Sequence, residues 1–186
     1  MTIRHADPAR DAAGCAAIYA PFVRETAISF EEQVPSAAEF GRRIERIART
    51  HPWLVAQESG RVAGFAYGCP HRERAAYRWA VDVAVYVDPA RQRRGIGRTL
   101  YRTLFELLRE QGLWVACAGI ALPNDASVAL HESLGFEPVG VYRRIGYKLG
   151  AWHDVGWWQL ALHPPCGGEP PEPVAPRRVI NGPRSG

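Results

Sequence analysis

Long apolar runs are missing from this chain. No stretch approaches the ~20 apolar residues that a bilayer-spanning helix needs, so no membrane partner is expected. The start, Met1-Thr2-Ile3-Arg4-His5, lacks the apolar run of a signal peptide, and a cytoplasmic protein is expected. Cysteine is sparse and scattered. Cys15, Cys69, Cys117 and Cys166 contain no Cys-x-x-Cys, which argues against a zinc site, and no metal is expected. A disulfide framework is not expected either, and the first three read as small buried apolar residues. No long block of basic residues exists, and the net charge of +4 is mild. Such a charge suits a small anionic ligand, and nucleic acid is not expected as a partner. There is no internal repeat.

What is present suits one globular domain. The 186 residues can bury one core, and 47% hydrophobic content is ordinary for a folded chain. Ile3 to Ala6 reads as a short strand. Asp7-Pro8 makes a helix start, with Cys15, Ile18, Tyr19 and Phe22 at helical spacing and Pro21 expected to limit the helix. Ser36 and Glu39 form a capping-box pair ahead of Phe40, Ile44 and Ile47. Trp53–Ala56 and Val62–Tyr67 read as strands joined by a tight turn at Ser59-Gly60. Trp79 to Asp88 is a longer strand, Arg98 to Glu110 a helix, Leu113 to Leu122 a strand. Asp125 to Leu134 is a short helix closed by Gly135, and Val155 to Leu162 a last strand. The expected domain is 1–163, of mixed α/β class with a strand–helix–strand unit in its second half. The Pro/Gly-rich stretch 164–186 is expected to be flexible or draped on the surface.

The strongest motif is Gln92-Arg93-Arg94-Gly95-Ile96-Gly97, between a strand and a helix. Such a loop points backbone N–H groups outward, and the following helix adds its positive end. Glycines let a pyrophosphate approach the backbone, and Arg93, Arg94 and Arg98 add charge. The motif lacks the third glycine of a dinucleotide fingerprint and the Gly-Lys-Ser/Thr of a P-loop. Taken alone, it reads first as a glycine turn with a solvated basic face.

Those residues resemble the acyl-CoA signature of the GNAT superfamily of acetyltransferases. The surroundings agree in order: a valine-rich strand Val81–Val87 before it, then Leu122-Pro123-Asn124-Asp125, then Leu134-Gly135-Phe136. Further stretches resemble the phosphinothricin/methionine-sulfone N-acetyltransferase subfamily: Tyr77-Arg78-Trp79, Leu130-His131-Glu132, Gly146-Tyr147-Lys148 and Trp152-His153-Asp154-Val155-Gly156. The resemblance covers about residues 2 to 163. It implies a mostly antiparallel twisted sheet, splayed at the CoA site and flanked by helices, with acetyl-CoA as cosubstrate. It also implies that backbone around Val85, Tyr86 and Val87 meets the pantetheine, and that Gln92 to Arg98 hold the pyrophosphate. Asn124 and Ser133 fall where the cofactor would be touched. On residue chemistry alone they are a helix N-cap and a plain helix-face serine.

Acetyl transfer needs a proton removed, an oxyanion stabilised and a thiolate protonated. Asp82, in a strand otherwise without charge until Asp88, is the candidate base, since burial would raise its pKa. The subfamily carries Glu there, so this chain departs from it, and a structural carboxylate is the other reading. His131 stands where the superfamily often has a tyrosine facing the thiolate. Imidazole could serve as acid or base, or simply lie on a helix surface. The resemblance further implies backbone N–H near Val83 to Val85 as oxyanion donors. Arg72, Arg74 and Tyr77 correspond to a basic residue, an arginine and a tyrosine of the subfamily's acceptor site. Guanidinium groups suit a carboxylate or phosphinate, although a solvated loop would look the same. Phe30 matches an aromatic of the acceptor pocket, and Glu31 or Glu32 could meet the amine. A small amino acid is therefore the expected acceptor, and a homodimer is expected from the aromatic-rich stretch 146–158. Two rivals stay open: an acetyltransferase for polyamines or aminoglycosides, and a CoA-binding sensor without turnover.

Overall fold

The structure is a computed structural model and describes residues 1–164 and 167–177. Cys166 and positions 178–186 of the expected tail lie outside the described residues. The strands are β1 Thr2–His5, β2 Trp53–Glu58, β3 Arg61–Pro70, β4 Ala80–Val87, β5 Val115–Leu122, β6 Glu137–Lys148 and β7 Ala151–Ala161. The helices are α1 Pro8–Glu25, α2 Ala37–Ala48, α3 Ile96–Glu110 and α4 Asp125–Glu132. One seven-stranded sheet runs in the order β1-β2-β3-β4-β5-β7-β6. Every neighbour pair is antiparallel except β4 with β5. The mixed fold expected from the sequence is the one observed. No helix is long and apolar enough to cross a membrane among the described residues.

Alternation along β4 divides the interior into two cores. Val81 and Val83 face α3, where Leu100, Leu104 and Leu108 are fully enclosed. Tyr86 points to the opposite face, against Tyr19 and Phe65 beneath α1 and α2. The caps work as read. The Asp7 carboxylate accepts from Ala9 and Arg10 N–H, and the Ser36 hydroxyl accepts from Glu39 N–H. Ser59 and Gly60 both have positive φ, +48° and +77°, the backbone of a tight hairpin turn.

Two expectations need correcting. Pro21 does not limit α1, which continues to Glu25. The missing N–H there costs about 3 kcal/mol. The residues beyond it offset that, since Val23 is 1% exposed and Phe22 packs on Tyr86 at 5.3 Å. The last strand was expected from Val155, but two strands occupy this region, β6 and a β7 that begins at Ala151. β6 carries a bulge between Tyr142 and Gly146, with Arg144 at φ +47°. Asp154 fastens it by accepting from Arg144 N–H and from Arg143, each at 2.8 Å.

β6 is the sheet edge, and Val139, Val141, Tyr142, Ile145 and Tyr147 on it are exposed. Its last residue turns inward. Lys148 is 7% exposed, and its Nζ donates to the carbonyls of Ser29 at 2.5 Å and Val23 at 2.7 Å. That clamp joins the edge strand to the last turn of α1 and to the α1–α2 connection. Phe30 packs against Gly146, where an added Cβ would stand 2.4 Å from the ring. Beyond β7, Pro171 O accepts from Trp79 Nε1, and Glu172 pairs with Arg78.

Candidate active site

β4 and β5 pair only from Ala80–Val115 to Asp82–Cys117, then part. The direction of the freed groups follows from the β3 side. Asp88 N–H donates to Ala63 O on β3. N–H direction alternates along a strand, so the N–H groups of Val87, Val85 and Val83 point into the gap. A small cavity of about 70 Å³ lies there, lined by Ile28, Val83, Val85, Asn124, Ser127 and His131 among others.

At the far end of β4 the loop enters α3. Arg93 and Gly95 both take positive φ, +60° and +79°. Gly95 is the N-cap residue and offers no side chain, so α3 begins without a side-chain cap. The orphan N–H groups of its first turn are free for an anion. A Cβ on Gly95 would meet nothing within 4 Å, so the space above it is open. Gln92, Arg93 and Arg94 are exposed around it, while Ile96 and Gly97 are buried. Arg98 donates to the Ser133 hydroxyl at 2.7 Å, tying α3 to the end of α4. The Asn124 oxygen caps α4 by accepting from Ser127 N–H, which leaves its NH₂ for another partner. These residues fit the diphosphate and amide chain of a CoA thioester: open backbone at one end, unpaired strand N–H groups at the other.

Asp82 is the last residue of β4 to pair with β5. Its Oδ1 stands 2.6 Å from Nδ1 of His71, which comes from the loop after β3. Burial lifts the Asp82 carboxyl above the usual range, while His71 and Arg72 pull the other way. The His71 ring meets Tyr77 and Trp157 edge-on, at 5.8 and 6.0 Å. Arg72 lies over Trp157 at 5.8 Å. The indole N–H of Trp157 is enclosed and without a partner among the described residues. Cys69 and Cys117 flank Asp82 in register on β3 and β5. His71, Asp82 and Cys117 are the one group close enough to share a metal ion among the described residues. Burial and the Asp82 charge push the Cys117 thiol up to about 11, which favours the protonated form over a ligand thiolate.

His131 is enclosed, not on a helix surface, at 3% exposure. Its Nδ1 must donate to Ser127 O at 2.7 Å, so Nε2 accepts from Tyr101 O–H at 3.0 Å. Burial lowers its pKa, partly opposed by the Ser127 carbonyl. Arg74 is exposed and extends from the loop with no side-chain partner among the described residues. Phe30 belongs to a different neighbourhood, against Gly146 and 6.2 Å from His153. Glu31 is held by Arg43 and by Tyr19 O–H. That cluster borders a cavity of about 660 Å³ beneath α2, whose floor includes Tyr67, Cys69 and Tyr86. Reading the residues in order missed His71 and Trp157. The Pro70-His71 step after a strand was the available signal for the first.

The acetyltransferase (GNAT) domain family matches residues 3–157. A phosphinothricin N-acetyltransferase of Streptomyces viridochromogenes is 42% identical, over 95% of this chain and 94% of that one. The L-methionine sulfoximine/L-methionine sulfone acetyltransferase of Salmonella typhimurium is 37% identical over 87% and 95%. A phosphinothricin acetyltransferase of Sinorhizobium meliloti, solved in complex with acetyl-CoA, superposes with a TM-score of 0.87 at 34% identity. That match covers 94% of this chain and 95% of the other. On a family match of that extent and relatives of that identity, the chain belongs to the GNAT family and is an acetyl-CoA-dependent N-acetyltransferase.

Proposed function

We propose that the acceptor is the α-amino group of a small amino acid with an oxidised, tetrahedral side-chain head, such as phosphinothricin, methionine sulfone or methionine sulfoximine. The observation that carries this is the ring cluster beside Asp82, where the exposed Arg72 guanidinium lies over Trp157 and offers donors to an anionic group. Arg74, exposed on the same loop, supplies a second guanidinium. One arginine holds the α-carboxylate and the other meets the head-group oxygens, with Tyr77 closing the side. The names of the relatives point to the same acceptors.

Acetyl-CoA supplies the acyl group as an activated thioester. The first-turn N–H groups of α3, with Arg93, Arg94 and Arg98, bind its pyrophosphate. The N–H groups of Val85 and Val87 bind the pantetheine, and that of Val83 or Val85 polarises the thioester carbonyl. Asp82 anchors proton removal from the acceptor. Neutral His131 and Tyr101 form one wall of the splay. Two copies pair through the apolar edge strand β6, because five exposed apolar residues on one edge exceed what solvent favours. The protein works in the cytoplasm, where Cys15, Cys69 and Cys117 remain free thiols.

The test is thiol release from acetyl-CoA with methionine sulfone, its descarboxy amine and spermidine. Turnover of the amino acid alone is expected. Equal turnover of all three would remove the arginine assignment and favour a polyamine-type acceptor. Light scattering at micromolar concentration should give a dimer mass, and a monomer mass would refute the pairing.

A further inference from the structure

We infer that His71, not Asp82, takes the proton from the acceptor ammonium, with Asp82 behind it as the residue that fixes its ring. This rests on the transferase reading above and deepens it. An ionised carboxylate only accepts hydrogen bonds, so the 2.6 Å contact makes Nδ1 the protonated nitrogen. Nε2 is thereby left as a lone-pair acceptor, and it has no partner among the described residues. The ring is held from two sides by Tyr77 and Trp157. It is neither fully enclosed nor free, with 17% of the side chain exposed.

Reach supports the same assignment. His71 comes from the neighbouring strand's end and extends the carboxylate by the width of an imidazole. The other histidine near the splay has no such freedom, since both nitrogens of His131 are engaged inside the protein. The titratable and charged groups around the His71 ring are Asp82 on β4, Cys117 on β5, and Arg72 and Tyr77 on the loop.

An ammonium N–H bond breaks, its proton joins Nε2, and the electron pair stays on nitrogen. Asp82 at Nδ1 holds the imidazolium so formed. The freed nitrogen forms the C–N bond as the thioester C–S bond breaks with its pair leaving on sulfur. Of the two protons the nitrogen gives up in all, one ends on sulfur and one passes from Nε2 to solvent.

The experiment compares the parent with His71→Gln, His71→Ala and Asp82→Asn, each checked for fold by circular dichroism. Loss of a general base lowers kcat on the order of 10²–10⁴-fold. That loss is expected for both His71 variants, with KM for acetyl-CoA within about threefold of the parent. The kcat/KM profile of His71→Gln should keep rising with pH as free amine becomes available. Added imidazole should restore part of the activity of His71→Ala, which a structural role would not allow. Asp82→Asn should keep a folded site and respond less to imidazole. If His71→Gln retains kcat within threefold and the parental pH profile, Asp82 acts alone and the inference is overturned. If His71→Ala does not fold, the glutamine variant decides. The assay uses whichever amine of the panel is turned over, so failure of the acceptor assignment stays distinct from failure of this one.

Discussion

Gly95→Ala separates the cost of a backbone angle from the loss of a binding surface. Gly95 sits at φ +79°, and an added Cβ meets no atom within 4 Å. The protein therefore objects only through the left-handed backbone, at about 1–2 kcal/mol. For a chain of this size each kcal/mol lowers Tm by about 2–4 °C, so a drop of about 2–8 °C is expected. The ligand objects separately. A methyl in the open space over the first turn of α3 lifts a phosphate off the backbone N–H groups. A hydrogen bond to a charged group contributes about 1.5–3 kcal/mol, so losing one weakens acetyl-CoA about ten- to a hundredfold. The molecule contains its own control. Gly60, in the β2–β3 turn, has φ +77° and equally open space. Gly60→Ala should lower Tm by a similar amount and leave acetyl-CoA affinity untouched. Calorimetry with acetyl-CoA and thermal melts on both variants decide the matter. Affinity within twofold of the parent for Gly95→Ala, or an equal loss for Gly60→Ala, would refute the cradle.

Arg74→Ala should raise the acceptor KM about ten- to a hundredfold, since a charged hydrogen bond contributes about 1.5–3 kcal/mol, with the acetyl-CoA KM unchanged in steady-state assays. Gly146→Ala should destabilise by about 1–3 kcal/mol through overpacking against Phe30. Adding Phe30→Ala should recover part of that loss in a denaturant titration, whereas strictly additive effects would disprove the contact. Asp11 is buried against Arg4 at 2.6 Å. Burial alone would raise its pKa, but the Arg4 hydrogen bonds and the Asp7 N–H outweigh it, and the net shift is downward. A depressed folded-state pKa gives stability that is full above the unfolded value of about 3.9. That stability is lost as pH falls through the folded value. Asp11→Asn should remove this acid limb and cost about 3–5 kcal/mol by stranding the Arg4 charge, as urea titrations between pH 2 and 7 would show.

The parts legible in the sequence are those fixed by neighbours in the chain. The Asp7-Pro8 start placed α1 and the Ser36–Glu39 pair placed α2, because capping is local. The start of α3 at Ile96 was less legible. The residue that opens it is a glycine in a left-handed conformation, with no capping side chain to read. β6 escaped notice because it lies at the edge, exposed on both faces and broken by a bulge, so it shows no alternation. The His71–Asp82 pair escaped for another reason. It depends on the register of β3 against β4 and on the loop beyond, and no spacing rule links residues eleven apart across a turn. The Phe30–Gly146 contact joins positions more than a hundred residues apart, and only the folded sheet brings them together. Pro21 shows the reverse case, a local signal overruled by the packing of Phe22 and Val23 around it.

Lys148 is the single lysine of the chain; every other basic side chain apart from the histidines is arginine. A lysine ends in a primary amine, the same kind of group that an N-acetyltransferase modifies. Here that amine points at two backbone carbonyls and is sealed from solvent. The folded described surface thus offers an activated thioester no lysine to react with, neither by catalysis nor by slow spontaneous acylation. Amine-selective labelling at position 148 would then report the separation of β6 from the α1–α2 connection, a built-in probe of local opening.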